Sequence, residues 1–429
     1  MRFASTRQRR RLATGIAGVA IGALALTACS GGGGDAAEGE APTEVTALIT
    51  PEQDAGFEPY YAGFTEDTGF EFDPTTVEVN SLVEQLRIEI NSGTASDIVR
   101  VSLGSLTVGV LPLAEEGALL DLSDEPWAAD VPETFSGLLK TDDQTWAYPT
   151  SGQSILMFYN RAVFEEAGVE PPTTWSEFLD VCADLKDAGV TPVAQGLGTP
   201  AMVQFIPYML AATLVSSEND DIDAQMQAGD TSFVDDEGWN EVFDKYTQLI
   251  DEEYITQDAI GATLDAAMQQ TAAGDAAMIP LVSSNSPALF SYFEDGEDGV
   301  GAFALPATDD PEETFVPLSP ELLAVSATAK NPEGAKAFLE YLSDPERAAE
   351  YADATKTLPI LAGVEALPST VGDALQPFLA SQQFVPFVNH RWVNGDTQAA
   401  LMQNGPLLAT GGASIQDVLA AMDAAYALG

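Results

Sequence analysis

The chain has 429 residues, with 67 Asp and Glu against 16 Lys and Arg, one histidine, two cysteines and an ordinary 45% of hydrophobic residues. Its formal charge of −51 disfavours nucleic acid and anionic ligands at long range. One histidine cannot form a His-rich zinc site, and a Ser-His-Asp triad would have to be built around His390 with no supporting motif. The carboxylates are dispersed, which reads as a solvated acidic surface rather than a binding tract.

In chain order, MRFASTRQRRRLATGIAGVAIGALALTAC places five arginines before an apolar region and a small-residue end. This is the pattern of an export signal, with residues 1–28 expected to be removed. LTAC resembles the bacterial lipobox, which implies that Cys29 becomes a lipid-bearing N-terminus; the alternative is an ordinary secretory signal that happens to contain a cysteine. Loss of five arginines leaves 11 basic residues against 67 acidic ones, a charge of about −56. Residues 29–44, SGGGGDAAEGEAPTE and its flanks, hold too little apolar surface to fold and suit a flexible tether. Beyond them no apolar stretch approaches the ~20 residues that span a bilayer, so lipid would be the only anchor. With Cys29 lipidated, Cys182 has no disulfide partner, and its place in the apolar phase of WSEFLDVCADLKDAG makes it a core residue rather than a nucleophile.

The roughly 385 residues that follow exceed what one core usually serves, so two lobes are expected. VTALITP predicts a strand, EQDAG a polar loop, and FEPYYAGFTEDTG a helical stretch closed by Gly69. FEFDPTTVEV predicts the next strand. LVEQLRIEINSG is an amphipathic helix with Leu82, Leu86 and Ile90 on one face and Gly93 at its end, and SDIVRVSLG is a strand. The alternation β, α, β, α argues for an α/β sheet with helices on its faces. From Pro171 to Tyr292 the chain reads as mostly helical: Thr174 and Glu177 form a capping box, Gly189 is the stop, and LDAAMQQTAAGDAAMIPLV gives helix, turn and strand. PEGAKAFLEYLSDPERAAEYADATKTLPI is a helix pair split at Asp344-Pro345, and SIQDVLAAMDAAYALG closes the chain as an amphipathic helix.

Several segments together resemble the extracellular solute-binding proteins of ABC importers, in the sugar-binding branch that includes maltose-binding protein. They are FTEDTGFEF, SGTASDIVRV, GALLDLSD, the run from Pro149 through Tyr159 and Asn160 to FEEAGVEPPTTWSEF, AAGDAAMIP, and AVSATAKNPEGAKAFLEYLSDPE. Each motif is weak alone; their order and spacing are specific. The resemblance implies a two-lobed periplasmic-binding-protein-like fold of type II, each lobe a sheet flanked by helices, with the ligand cleft between. The lobes would be 45–149 with 320–365 and 150–319 with 366–429, joined by crossings near 149–154, 315–320 and 360–370. YPTSGQSILMFYN would be the first crossing, its polar residues facing the cleft where interdomain ligand sites form.

The same resemblance supplies candidate contacts. Gln153 falls where the branch has a sugar-contacting Glu; an amide both donates and accepts, although a hinge residue satisfying backbone groups fits as well. Trp392, in FVPFVNHRWVNGD, falls where the branch has a late stacking aromatic, with core packing as the alternative. Asn389 and Arg391 share its loop. Glu52 and Gln53 follow the first strand, and Ser102 and Gly104 follow the strand DIVRV. Asn285 replaces a common Gly-X-Trp, and Glu321 replaces a common glycine pair, where a carboxylate could hold two sugar hydroxyls. Trp146, Trp175 and Trp239 read as packing.

The reading is a lipid-anchored, monomeric receptor on the outer face of the cytoplasmic membrane. It captures a sugar or oligosaccharide and delivers it to ABC permease subunits. No P-loop signature is present, so the ATPase is a separate protein. It is not read as an enzyme, and neither cofactor, metal nor nucleic acid is expected. Alternatives are the same fold binding a cation, polyamine or peptide drawn by the negative field, a cell-surface glycoside hydrolase using paired carboxylates, or a structural lipoprotein without a ligand.

Overall fold

The computed structural model describes residues 42–104, 108–141, 143–257 and 259–429, without the side chains of Val79 and Asn80. The expected export signal, Cys29 and nearly all of the tether lie outside the described residues. No described helix is long and apolar enough to cross a membrane.

The strands are β1 (Glu44–Ile49), β2 (Glu71–Thr76), β3 (Ile98–Val101), β4 (Lys140–Thr141), β5 (Gln144–Thr145), β6 (Tyr148–Asn160), β7 (Thr191–Val193), β8 (Ala276–Val282), β9 (Val300–Phe303), β10 (Val316–Val325) and β11 (Phe384–Pro386). Strands β4 and β5 pair only with each other; the rest follow the order β2-β1-β3-β10-β6-β8-β7, with β11 on β10 and β9 on β6. In the first lobe β1 pairs parallel with β2 and β3, as strands joined by crossover helices do. In the second, β7 runs parallel to β8.

Strands β6 and β10 belong to both lobes. The start of β6 pairs with β10 from Tyr148↔Leu323 to Ser154↔Leu318, while its end, from Ile155 to Asn160, pairs with β8 and β9. The far end of β10 pairs with β3 through Leu322–Val325, and its near end with β11 through Val316–Leu318. A third passage joins them at Leu358, which exchanges two backbone hydrogen bonds of 2.7 Å with Gly152. The fit at Gly152 is close: a Cβ on it would lie 2.7 Å from Ile360 Cδ1 and 3.2 Å from Leu318 Cδ1.

Local chemistry sets the helices. Thr174 caps Trp175–Asp187 by accepting from Glu177 N, and the Glu177 carboxylate reaches back to Thr173. Ser414 and Asp417 form a capping box on Ile415–Tyr426. The expected loop EQDAG is instead the helix Pro51–Phe57: Thr50 and Gln53 cap each other reciprocally and Pro51 occupies the first turn. The first-lobe core stacks Phe338 on Phe72 at 3.9 Å and Phe57 on Tyr351 at 4.6 Å between ring centroids. Asp97, 2% exposed, ties that lobe together: one oxygen accepts from Thr46 N and Oγ1, both 2.8 Å, the other from Lys330 N at 2.6 Å and Asn331 N at 2.9 Å.

Candidate functional site

Residues directly opposed in an antiparallel ladder project to the same side of the sheet. The pairs Gln153↔Ser319 and Ser151↔Glu321 therefore set polar side chains on one face of the β6/β10 crossing. The opposite face, at Gly152↔Pro320, packs against Ile360. The register slips between Glu321 and Leu322, leaving Thr150 as an extra residue whose hydroxyl donates to the Glu321 carbonyl at 3.2 Å.

Loops of both lobes converge on the polar face. Ser284 Oγ donates to Gln153 Oε1 at 2.7 Å, and Ser154 N donates to Ser283 Oγ at 3.2 Å. Ser319 Oγ and His390 Nε2 are 3.4 Å apart. From the first lobe, Gly104 at φ +80° comes so close that a Cβ on it would meet the His390 carbonyl at 3.1 Å. Positive φ and this approach both favour glycine. Burial pushes the His390 imidazole down to about 3, so the ring is neutral and stacks on Phe387 at 5.4 Å.

The face is under-satisfied. Ser151 Oγ, and Asn389 Oδ1 and His390 Nδ1 on the loop that meets Ser319, are buried without a hydrogen-bond partner among the described residues, as is Gln53 Nε2 on the helix Pro51–Phe57. Each such group costs about 1–3 kcal/mol unless a ligand or water completes it. Beside it a cavity of about 1220 Å³ opens between the lobes, lined among others by Gly104, Leu138, Asp223, Phe384, Arg391 and Trp392. That exceeds the ~300–1,000 Å³ usual for small-ligand pockets.

The sequence-predicted residues fall into groups. Gln153, Glu321 and Asn389 sit on or against the polar face, Gln153 half-buried with only its oxygen engaged. Gln53 is 1% exposed in the first turn of Pro51–Phe57, and Glu52 beside it is exposed. Ser102 is half-buried, its backbone bridged to Gly109. Asn285 is half-buried, immediately before the helix Ser286–Phe290. Arg391 donates to the Asp220 carbonyl at 3.4 Å and borders the cavity beside Asp223, whose carboxyl burial raises to about 6. Trp392 is 3% exposed, boxed by Tyr208, Phe233 and Trp239 at 5.6 to 6.1 Å. It is thus packed among aromatic rings and also borders the cavity. Ser284 and Ser319 were not singled out from the sequence, and His390 was weighed there only as a zinc ligand or triad member; the alternation of Ser319 and Glu321 along LSPEL was the available signal.

A two-lobed α/β protein with polar crossing strands and an interlobe cavity has the build of a ligand receptor. A family model for bacterial extracellular solute-binding proteins matches residues 60–376. The chain belongs to that family. A probable sugar-binding periplasmic protein of Rhizobium meliloti is 29% identical over 188 residues, a match covering 40% of this chain and 42% of that protein. The match thus spans less than half the length of that relative. The multiple sugar-binding protein of Streptococcus mutans is 20% identical over 270 residues, 62% of this chain and 63% of its own. Among solved structures, apo RafE from Streptococcus pneumoniae has a TM-score of 0.76 at 18% identity, covering 91% of this chain and 98% of RafE. A chitin oligosaccharide binding protein has 0.74 at 20%, covering 90% and 98%. At these identities the likeness establishes the two-lobed fold.

Proposed function

We propose that this solute-binding protein captures a sugar or oligosaccharide at the polar face between its lobes and delivers it to an ABC permease. The observation that carries the reading is the buried, unpartnered set Ser151, Asn389 and His390, on the crossing strand β6 and on the loop that meets β10 at Ser319. Hydroxyl-rich ligands supply both donors and acceptors to such a set. The sugar-binding names of the Rhizobium and Streptococcus relatives point the same way. In this reading the protein is a monomeric binder without catalytic activity, held outside the cytoplasmic membrane by lipid on Cys29.

One observation favours a second ligand class. Glu115, Glu133, Asp220, Asp221 and Asp223 surround the cavity with Arg391 as the opposing charge, a setting suited to a polyamine. A thermal-shift screen against raffinose, maltotriose, chitotriose, xylotriose, spermidine and short peptides separates the two. Saturable stabilisation by a neutral sugar supports the proposal; stabilisation by spermidine alone replaces it. Metabolic labelling with palmitate, with Cys29→Ala as control, tests the anchor.

A further inference from the structure

One ion pair joins the two lobes. Lys356 follows the helix Pro345–Ala354, which packs into the first lobe through Tyr351 stacked on Phe57, and stands two residues before the crossing at Leu358. Glu297 lies in the short turn Gly296–Gly299 just before β9, which pairs with the end of β6 in the second lobe. Lys356 Nζ is 3.0 Å from Glu297 Oε2. Every other ion pair among the described residues stays within one lobe.

Both ends of the pair are anchored. The ammonium also contacts Asp353 Oδ1 at 3.0 Å, and the other Glu297 oxygen accepts from Thr370 N at 2.8 Å, at the start of the second-lobe helix Thr370–Ser381. Burial raises the Glu297 carboxyl, but the Thr370 N–H and the Lys356 ammonium outweigh it and hold the group below its ordinary value, so the pair is charged at neutral pH. Lys356 itself has φ +52°, a left-handed conformation that favours glycine. Glycine would make the turn with less strain, but it would not make the interlobe contact.

The pair and the cavity lie on opposite sides of the crossing strands. Gly152 on β6 faces Pro320 of β10 on one edge and Leu358 on the other, while Leu318 on β10 faces Ser154 of β6 on one edge and Pro386 of β11 on the other. Phe384 and Val385 of β11 line the cavity, and neither Lys356 nor Glu297 does. Strands β6 and β10 therefore stand between the two places. A rotation about them that narrows the cavity widens the gap that the ion pair spans.

We propose that the Lys356–Glu297 pair is a latch that holds the lobes apart, and that closing on a ligand requires breaking it. The inference rests on lobes that close around a ligand, whether or not that ligand is a sugar. Where only the closed form holds ligand, apparent affinity scales with the fraction of molecules that are closed. Removing the latch raises that fraction and tightens every ligand by the same factor. For a partly exposed pair, with side chains 20% and 28% exposed, that factor is about 1.5- to 5-fold.

The test compares the wild type with Lys356→Met, Glu297→Gln and the double variant; Glu297→Gln removes the charge but keeps an acceptor for Thr370 N. Without ligand, a nitroxide on Glu115→Cys in a Cys29→Ser background reports the closed fraction, by broadening the amide signals of Asp221 and Gln227 on the other lobe's side of the cavity. Cys182 is buried and takes no label. With ligand, unlabelled protein is titrated with raffinose, maltotriose, chitotriose and spermidine. The expected result is broadening increased by about 1.5- to 5-fold in each single variant, affinity raised by the same factor for each probe that binds, and no further gain in the double variant. Broadening that is unchanged or reduced in both single variants would overturn the latch, as would unchanged or weaker binding of a probe that the wild type holds. Asp353→Asn, which removes only the contact within the first lobe, should leave the broadening at the wild-type level; if it matched Lys356→Met, the interlobe pair would not be the latch. Increased broadening with no sugar bound would support the latch and overturn the sugar reading alone.

Discussion

Replacing Asp97 should unfold the first lobe more readily than any other single polar change in it. Its carboxylate accepts four hydrogen bonds of 2.6 to 2.9 Å, three of them from backbone N–H groups, and it is 2% exposed. It fastens β1 to β3 and both to the turn that starts the helix Pro332–Leu342, where Asn331 caps by accepting from Gly334 N. Asp97→Ala strands those donors. At about 1–3 kcal/mol for each buried group left unpaired, and allowing water to reach part of the gap, the loss is about 3–5 kcal/mol. That is a large share of the ~5–15 kcal/mol by which domains are stable. Asp97→Asn keeps one acceptor and turns an NH₂ toward the other pair of donors, so it should lose about 2–3 kcal/mol. Urea titration followed by circular dichroism measures both, as a lowered midpoint at constant slope. A loss below about 0.5 kcal/mol in Asp97→Ala would mean that water replaces the carboxylate fully, and would refute the reasoning.

Gly152→Val should lower stability by about 1–3 kcal/mol through overpacking against Ile360 and Leu318, and weaken ligand binding by disturbing all three crossings; an unchanged melting temperature would contradict that packing. Trp392→Ala, which empties an aromatic box, should cost about 3–5 kcal/mol in the ligand-free protein, whereas loss of binding at unchanged stability would restore a ligand-stacking role. His390 is neutral when folded, near 3, but takes up a proton near 6.5 when unfolded, so its burial contributes full stability above about pH 6.5 and loses it progressively toward pH 3. His390→Phe should flatten that part of the stability profile; an unaltered slope in acid urea titrations would count against it. Asp223, raised to about 6, acts oppositely: its contribution is complete below about pH 3.8 and is lost as pH rises through 6, so Asp223→Asn should be the more stable protein at pH 7.

Much of the fold is legible because its signals are local. Thr174, Ser414, Gly69 and Gly93 mark helix ends through chemistry contained within a few residues. EQDAG was misread as a loop although Thr50-Pro51-Glu52-Gln53 carries a complete capping signal; a seven-residue helix is too short to show apolar periodicity. The candidate site was legible only in part. Gln153 and Glu321 stood out as departures from the glycine or acid of the resembling family, but that Ser151 and Ser319 share their face follows from a β6/β10 register set across the chain. The packing of Trp392 was legible only as an alternative: its polar neighbours Asn389, His390 and Arg391 suggested a wet edge, and the rings of Tyr208, Phe233 and Trp239 that surround it come from distant segments, while it also borders the cavity.

The most direct test is calorimetric titration of the purified protein with raffinose, maltotriose, chitotriose and xylotriose, alongside Gln153→Ala. Saturable one-to-one binding of at least one sugar, weakened by about tenfold or more in Gln153→Ala while the ligand-free melting temperature holds, is the expected result. Absence of heat with every sugar, together with saturable binding of spermidine, would contradict the account.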